Sequence, residues 1–214
     1  MLNLGVLISG RGTNLQAILD ACAAGTCAAQ VAVVLSNVAD AYGLERARRA
    51  GVPAVCVPAR KGERREEYDA RLLEVLQAHE VDLVCLAGYM RILGKRLLAA
   101  YPQRILNIHP SLLPAFPGLE AQRAALEHGA KVSGCTVHFV DEGVDTGPII
   151  LQAAVPVYDE DDAETLAARI LEREHEIYPR AIQLVAENRL RRQGRRVLGG
   201  QPGPVSPSMA VKEG

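Results

Sequence analysis

The chain has no excess of charge of either sign. Its 24 Lys and Arg against 25 Asp and Glu leave a formal net charge of -1 over 214 residues. A surface so balanced carries no global field for nucleic acid or for an anionic membrane, so neither is expected as a partner. Long apolar runs are missing too, and none approaches the ~20 residues that span a bilayer. Cysteine is sparse and unpaired in pattern: Cys22, Cys27, Cys56, Cys85 and Cys135 form no C-x-x-C motif. An odd, scattered set argues against a disulfide framework or a thiolate metal site, and fits reduced, mostly buried thiols in a cytoplasm. The N-terminus opens directly into a strand pattern, without a basic leader or a small-residue cleavage site. No internal repeat and no second core stand out.

What is present is apolar material, 49% of the residues, enough for one ordinary core. Strand-length apolar runs at Leu4–Ile8, Val31–Leu35, Ala54–Val57, Leu83–Ala87 and Arg104–Ile108 alternate with helical patterns. Those patterns cover Asn14–Cys22, Tyr42–Ala50 and Arg64–Ala78. Runs buried on both faces and separated by helices predict an α/β fold with a doubly wound, mostly parallel sheet. Further on, a helix over Leu119–His128 precedes two longer runs, Val132–Val140 and Ile149–Val155, which read as an antiparallel pair. A long helical stretch follows over Asp162–Asn188, with a break or bend expected near Pro179. The segment 198–214 has the Gly/Pro/Ser composition of a disordered tail, which leaves residues 1–197 as a single domain.

Three stretches carry chemistry. The first is "SGRGTN" at residues 9–14, between a strand and a helix. A dinucleotide fingerprint fails here, because Leu15 stands where a third glycine belongs and the next strand ends in Ser36-Asn37, not in an acid. What remains is a tight turn at Gly10 and Gly12, with Thr13 or Asn14 able to cap the helix and free N–H groups facing an anion. An ordinary strand-to-helix turn explains the stretch equally well.

The second is "ILNIHPS", where Asn107 and His109 lie two residues apart at a strand end and so share a face. The C-terminal edge of a parallel sheet is where such folds bind ligands. The alternative is a satisfied polar pair that fixes the proline loop behind it. The third is Asp145 in "DEGVDTGP", a carboxylate in a glycine-flanked loop that is either turn chemistry or a partner for His109. No Ser or Cys sits in a nucleophile elbow. Asn, His and Asp together suit transfer of a group to a nucleophile that the substrate brings, with Asn and His donating to an oxyanion.

At this point "SGRGTNLQAIL", "AGYMRIL", "NIHPSLLPAFPG", "VHFVDEGVDTGPIILQ" and "EHEIYP" together resemble the phosphoribosylglycinamide formyltransferases of purine biosynthesis. The resemblance runs from about Leu2 to Leu190. It implies transfer of a formyl group from 10-formyltetrahydrofolate to the amine of glycinamide ribonucleotide in a cytoplasmic enzyme, without metal, as a monomer or weak homodimer. By matching position, His109 is the catalytic acid, Asn107 the oxyanion donor and Asp145 the carboxylate that favours the protonated histidine. Gly12, Thr13 and Asn14 then hold the 5′-phosphate, and Leu171, Glu172, Arg173 and Glu174 meet the rest of the ribonucleotide. The folate lies along Met90, Arg91, Ile92 and Leu93, beside Asn107 and the loop of Asp141, Glu142, Gly143, Val144 and Asp145, with Arg65 near its glutamate tail. The resemblance also implies a cis peptide at Leu113–Pro114.

Rival readings share parts of this signature. Methionyl-tRNA formyltransferase and formyltetrahydrofolate hydrolase each carry a further domain that 214 residues cannot hold. A non-catalytic nucleotide sensor would keep the turn and need no Asn–His–Asp set. His138 in its apolar strand reads as a packed support beside the site. Arg189, Arg191, Arg192, Arg195 and Arg196 read as a short solvated cluster with no assigned role.

Overall fold

The computed structural model describes residues 1–200. Seven strands form one sheet in the order β3-β2-β1-β4-β5-β6-β7. They are β1 (Leu2–Ile8), β2 (Ala29–Ser36), β3 (Ala54–Cys56), β4 (Leu83–Leu86), β5 (Ile105–His109), β6 (Val132–Phe139) and β7 (Ile149–Pro156). The first five run parallel, and β6 and β7 complete the sheet as an antiparallel pair. The doubly wound α/β arrangement is therefore as the sequence predicts.

Alternation along each strand feeds two cores. Leu4, Val6 and Ile8 of β1 join a cluster with α1 (Thr13–Ala23), α2 (Tyr42–Arg49), α5 (Ala121–Glu127) and α6 (Ala163–Ala186). Leu7 faces the other way, into a cluster with α3 (Arg65–Ala78) and α4 (Lys95–Ala100). A parallel sheet covered on both faces explains why its strands read as continuous apolar runs.

Some expectations shift. Helix α6 runs through Pro179 without a break, and starts from a capping box. Asp162 Oδ1 accepts from the Thr165 N–H at 2.8 Å, while the Asp162 N–H donates to Thr165 Oγ1 at 2.9 Å. Helix α4 is additional; it is short, and its first turn is capped by Asp69 of α3, which accepts from the N–H groups of Gly94 and Leu97. The arginine cluster holds a small hairpin, β8 (Arg191–Gln193) and β9 (Arg196–Leu198), turned at Gly194. Exposed arginines, with only Val197 and Leu198 of β9 partly buried, leave no apolar alternation to read. The expected tail from 201 onward lies outside the described residues.

Candidate active site

The loops that carry chemistry leave the sheet at one edge. Because β1, β4 and β5 are neighbours and parallel, the β1–α1 turn opens about 10 Å, two strand spacings, from the end of β5. Ser9 knits this edge together: its hydroxyl donates to Asn37 Oδ1 at 2.6 Å and accepts from the Met90 N–H at 2.8 Å. The ends of β1, β2 and β4 are thereby held in one plane.

At the β1–α1 turn the N-cap is Gly12, in the left-handed region at φ 70°. A Cβ there would stand 2.7 Å from the Cα of Gly43, so glycine is required by close approach as well as by torsion. Neither Thr13 nor Asn14 caps the helix through its side chain, contrary to expectation. The first-turn N–H groups are thus left without side-chain partners, as an anion site needs. Asn14 is drawn away by a partner 160 residues distant: its Nδ2 donates to Glu174 Oε2 at 2.7 Å in a buried contact. Burial pushes the Glu174 carboxyl above the ordinary range, with the Asn14 hydrogen bond opposing it. A local capping bond cannot compete with a carboxylate that would otherwise be buried alone.

Around this junction several buried polar atoms lack a partner among the described residues: Asn14 Oδ1, Arg173 Nε and His175 Nε2. Unpaired buried polar groups are rare, so these three atoms leave hydrogen-bonding capacity unused at this junction. Helix α6 is fixed here by Tyr178, one turn beyond Glu174, whose hydroxyl donates to the carbonyls of Leu86 and Leu106. Arg173 also pairs with Glu176 at 2.6 Å. Leu171 is half-buried, and Glu172 is exposed without hydrogen bond or ion pair among the described residues.

At the end of β5 the second cluster forms. His109 Nδ1 lies 3.3 Å from Asp145 Oδ2, and Asn107 Nδ2 lies 3.4 Å from Asp145 Oδ1. The Asp145 carboxylate also accepts from the Gly118 N–H at 2.8 Å. His109 Nε2 faces the carbonyl of Phe116 at 2.9 Å, so both of its ring nitrogens meet oxygen acceptors. His138 is more than packing. Its Nδ1 meets the Phe139 carbonyl at 2.8 Å, and its Nε2 lies 3.1 Å from Asn107 Nδ2 and 3.6 Å from Asp145 Oδ1. Burial pushes the Asp145 carboxyl up, but His138, the Gly118 N–H and the charge of His109 outweigh it, and the group lies below the usual carboxylate range. Asp145 itself sits at φ 54°, a conformation that aspartate tolerates better than most residues. Gly147 closes the loop where any Cβ would overlap the Phe139 carbonyl. The Leu113–Pro114 peptide is cis, as expected.

The loop after β4 and the Asp141–Asp145 loop are joined by the Lys95–Glu142 pair at 3.2 Å. Within the second loop Asp141 Oδ1 accepts from the Gly143 N–H and from Thr146 Oγ1. The two loops show apolar side chains to solvent: Met90 is 66% exposed, Ile92 55% and Val144 50%. Leu93 turns inward to the core. The Arg91 guanidinium stacks 4.4 Å from the Tyr68 ring, with its Nε buried and unpartnered. Arg65 is exposed at the start of α3, and its stem lies beside Gly94. Among the described residues no three His, Cys, Asp or Glu converge as a metal would need.

Sequence reasoning missed Ser9, Phe116 and Gly118 as parts of this edge. Phe116 and Gly118 act through main-chain groups, for which residue type is silent.

The family model described as formyl transferase matches residues 2–182. This chain belongs to the formyl transferase family. Within it, the chain is 48% identical over 190 residues to phosphoribosylglycinamide formyltransferase of Escherichia coli, covering 89% of this chain and 90% of that one. It is 51% identical over 191 residues to the trifunctional purine biosynthetic protein adenosine-3 of Drosophila pseudoobscura, of which it spans only 14%. A crystal structure of glycinamide ribonucleotide transformylase 1 from Symbiobacterium toebii superposes with a TM-score of 0.91 at 66% identity, covering 92% of this chain and 93% of that one. Among the described residues of this formyl transferase, no helix is long and apolar enough to cross a membrane.

Proposed function

We propose that the chain transfers a formyl group from 10-formyltetrahydrofolate to the amine of phosphoribosylglycinamide. The observation that carries the site assignment is the meeting of Asn107, His109 and Asp145 at the edge where α1 presents an uncapped N-terminus.

The 5′-phosphate sits on the N–H groups that follow Gly12, where the helix dipole favours an anion. Asn14, Arg173 and Glu174 reach toward the ribose and glycinamide, and Asn14 Oδ1 and Arg173 Nε, which lack partners, are the atoms a polar ligand would satisfy. The folate lies over the exposed Met90, Ile92 and Val144, with Arg65 and Arg91 at its glutamate carboxylates.

The glycinamide amine attacks the formyl carbon, forming the new C–N bond and a tetrahedral oxyanion. Asn107 and His109 donate to that oxygen, and the Asp145 carboxylate beside His109 Nδ1 orients the imidazole for it. Collapse breaks the bond to the folate nitrogen, which receives the proton that the amine gives up. His109 Nε2 now faces the Phe116 carbonyl, so it reaches the oxyanion only by exchanging that partner.

The test is turnover of 10-formyltetrahydrofolate with and without phosphoribosylglycinamide. Folate release that requires the amine is expected. Equal release with water alone would make the protein a hydrolase and overturn the assignment.

A further inference from the structure

The β8–β9 hairpin lies beyond the stretch that the family model matches, which ends at residue 182. Its arginines do different things. Arg189 approaches Glu187 at 3.5 Å, and Arg192 Nε closes the turn onto the Gly194 carbonyl at 2.8 Å. Arg195 leaves the hairpin altogether: its Nη2 donates to the carbonyl of Thr146 at 2.6 Å. Thr146 follows Asp145 directly.

We infer that the hairpin is a strut for the Asp141–Gly147 loop and that Arg195 is a positioning residue for the Asp145 carboxylate. The loop has few other holds on its main chain. Asp141 ties Gly143 and Thr146 to the loop itself, not to the fold. The Lys95–Glu142 pair is exposed at both ends. Among the described residues, the Arg195 bond is the hydrogen bond that joins main chain at 142–147 to a different part of the fold. Asp145 stands at positive φ, a setting that persists only where the surroundings over-determine it. Thr146 is pinned twice, through its side chain to Asp141 and through its carbonyl to Arg195. The strut has its own foundation, since Leu190 and Val197 pack against the core. A guanidinium on a carbonyl makes a charge-assisted hydrogen bond, stronger than one between neutral groups.

The inference rests on the formyl-transfer reading, and its test separates the two. Wild-type turnover with phosphoribosylglycinamide establishes that reading first. A displacement near 1 Å at a reacting group costs up to ~10²-fold, and loss of one exposed tie samples that displacement only part of the time. Arg195→Ala is therefore expected to lower kcat about 10-fold and to raise the KM for folate, leaving the KM for the ribonucleotide unchanged. The pH profile of kcat should move with it, because the Asp145 carboxylate lies 3.3 Å from His109 Nδ1. Arg195→Lys, which keeps a donor on a shorter reach, should recover part of the loss. In an Asp145→Asn background the same Arg195→Ala change should cost nothing further, since it acts through the carboxylate already removed. A wild-type kcat and pH profile in Arg195→Ala, or a loss fully additive with Asp145→Asn, would overturn the strut. If the wild type fails with the ribonucleotide, calorimetric titration with 10-formyltetrahydrofolate still decides: unchanged affinity in Arg195→Ala ends the inference, and weakened affinity supports it.

Discussion

At the β1–α1 turn the groups offered at the sheet edge are main-chain N–H groups, positioned by a glycine in the left-handed region. At the ends of β5 and β6 they are side chains from three separate segments, held by one carboxylate. The two regions should therefore fail differently. A side-chain site is broken by an isosteric change of charge that leaves the backbone alone. A main-chain site ignores such changes and is broken by a methyl group that moves the backbone.

The largest effect is expected at the side-chain end. Asp145→Asn keeps shape and much of the hydrogen bonding while removing the charge that faces His109 Nδ1 at 3.3 Å. Positioned acid–base catalysis is worth ~10²–10⁴-fold, and kcat should fall by that order while both substrates still bind. The same carboxylate marks the stability curve. Its folded pKa lies below the ordinary value, so it contributes stability above the unfolded pKa that is lost as pH falls through the folded one. Wild type should lose stability more steeply than Asp145→Asn below about pH 4, read by thermal melts across pH. A mutant with near-normal kcat across pH would remove Asp145 from the reaction.

Gly12→Ala tests the main-chain end. An L-residue at φ 70° costs ~1–2 kcal/mol, and the new Cβ meets Gly43. The start of α1 must shift, so the KM for the ribonucleotide should rise ~10²-fold while kcat at saturation stays near wild type. An unchanged KM would show that the phosphate is held elsewhere.

Glu174 stands between the two kinds of site. Burial raises its pKa, so the ionised carboxylate destabilises the folded protein once pH exceeds the unfolded value. Glu174→Gln removes that cost and keeps an acceptor for Asn14. Its melting temperature should exceed wild type at pH 7–8, with the gap closing toward about pH 4. If the carboxylate is kept for the ribonucleotide, the KM for that substrate should rise about 10-fold in the same variant. A variant that is more stable and binds equally well would make Glu174 merely structural.

The same contrast governs what the sequence makes legible. The parallel strands are readable because each is an apolar run, and the Asn107–His109 pair because its residue types are chemically unusual at a strand end, whereas Asp145 alone reads as turn chemistry. Helix α4 is not, since its cap is Asp69, a residue 26 positions before its first residue Lys95. Asn14 reads locally as a cap, yet its partner Glu174 is 160 residues away. Arg195 reads as solvated because nothing in its neighbourhood names Thr146. Local pattern predicts elements; it is silent wherever a side chain is spent on distant backbone.

The smallest effect is expected at Thr13, and it separates main chain from side chain most sharply. Its hydroxyl makes no capping bond, and it opens α1 with helical backbone that alanine adopts readily. Thr13→Ala therefore leaves Gly12, the helix start and the N–H groups where they are. The hydroxyl can add at most one hydrogen bond to the phosphate, worth ~1.5 kcal/mol at the lower end of the range for a charged, solvent-facing acceptor, so the KM for the ribonucleotide should rise by about 10-fold. Folate KM and kcat should stay at wild type, and the melting temperature should hold or rise. Steady-state kinetics with each substrate varied at saturation of the other reads all three. A Thr13→Ala loss as large as that of Gly12→Ala would mean that the hydroxyl, not the helix start, grips the phosphate.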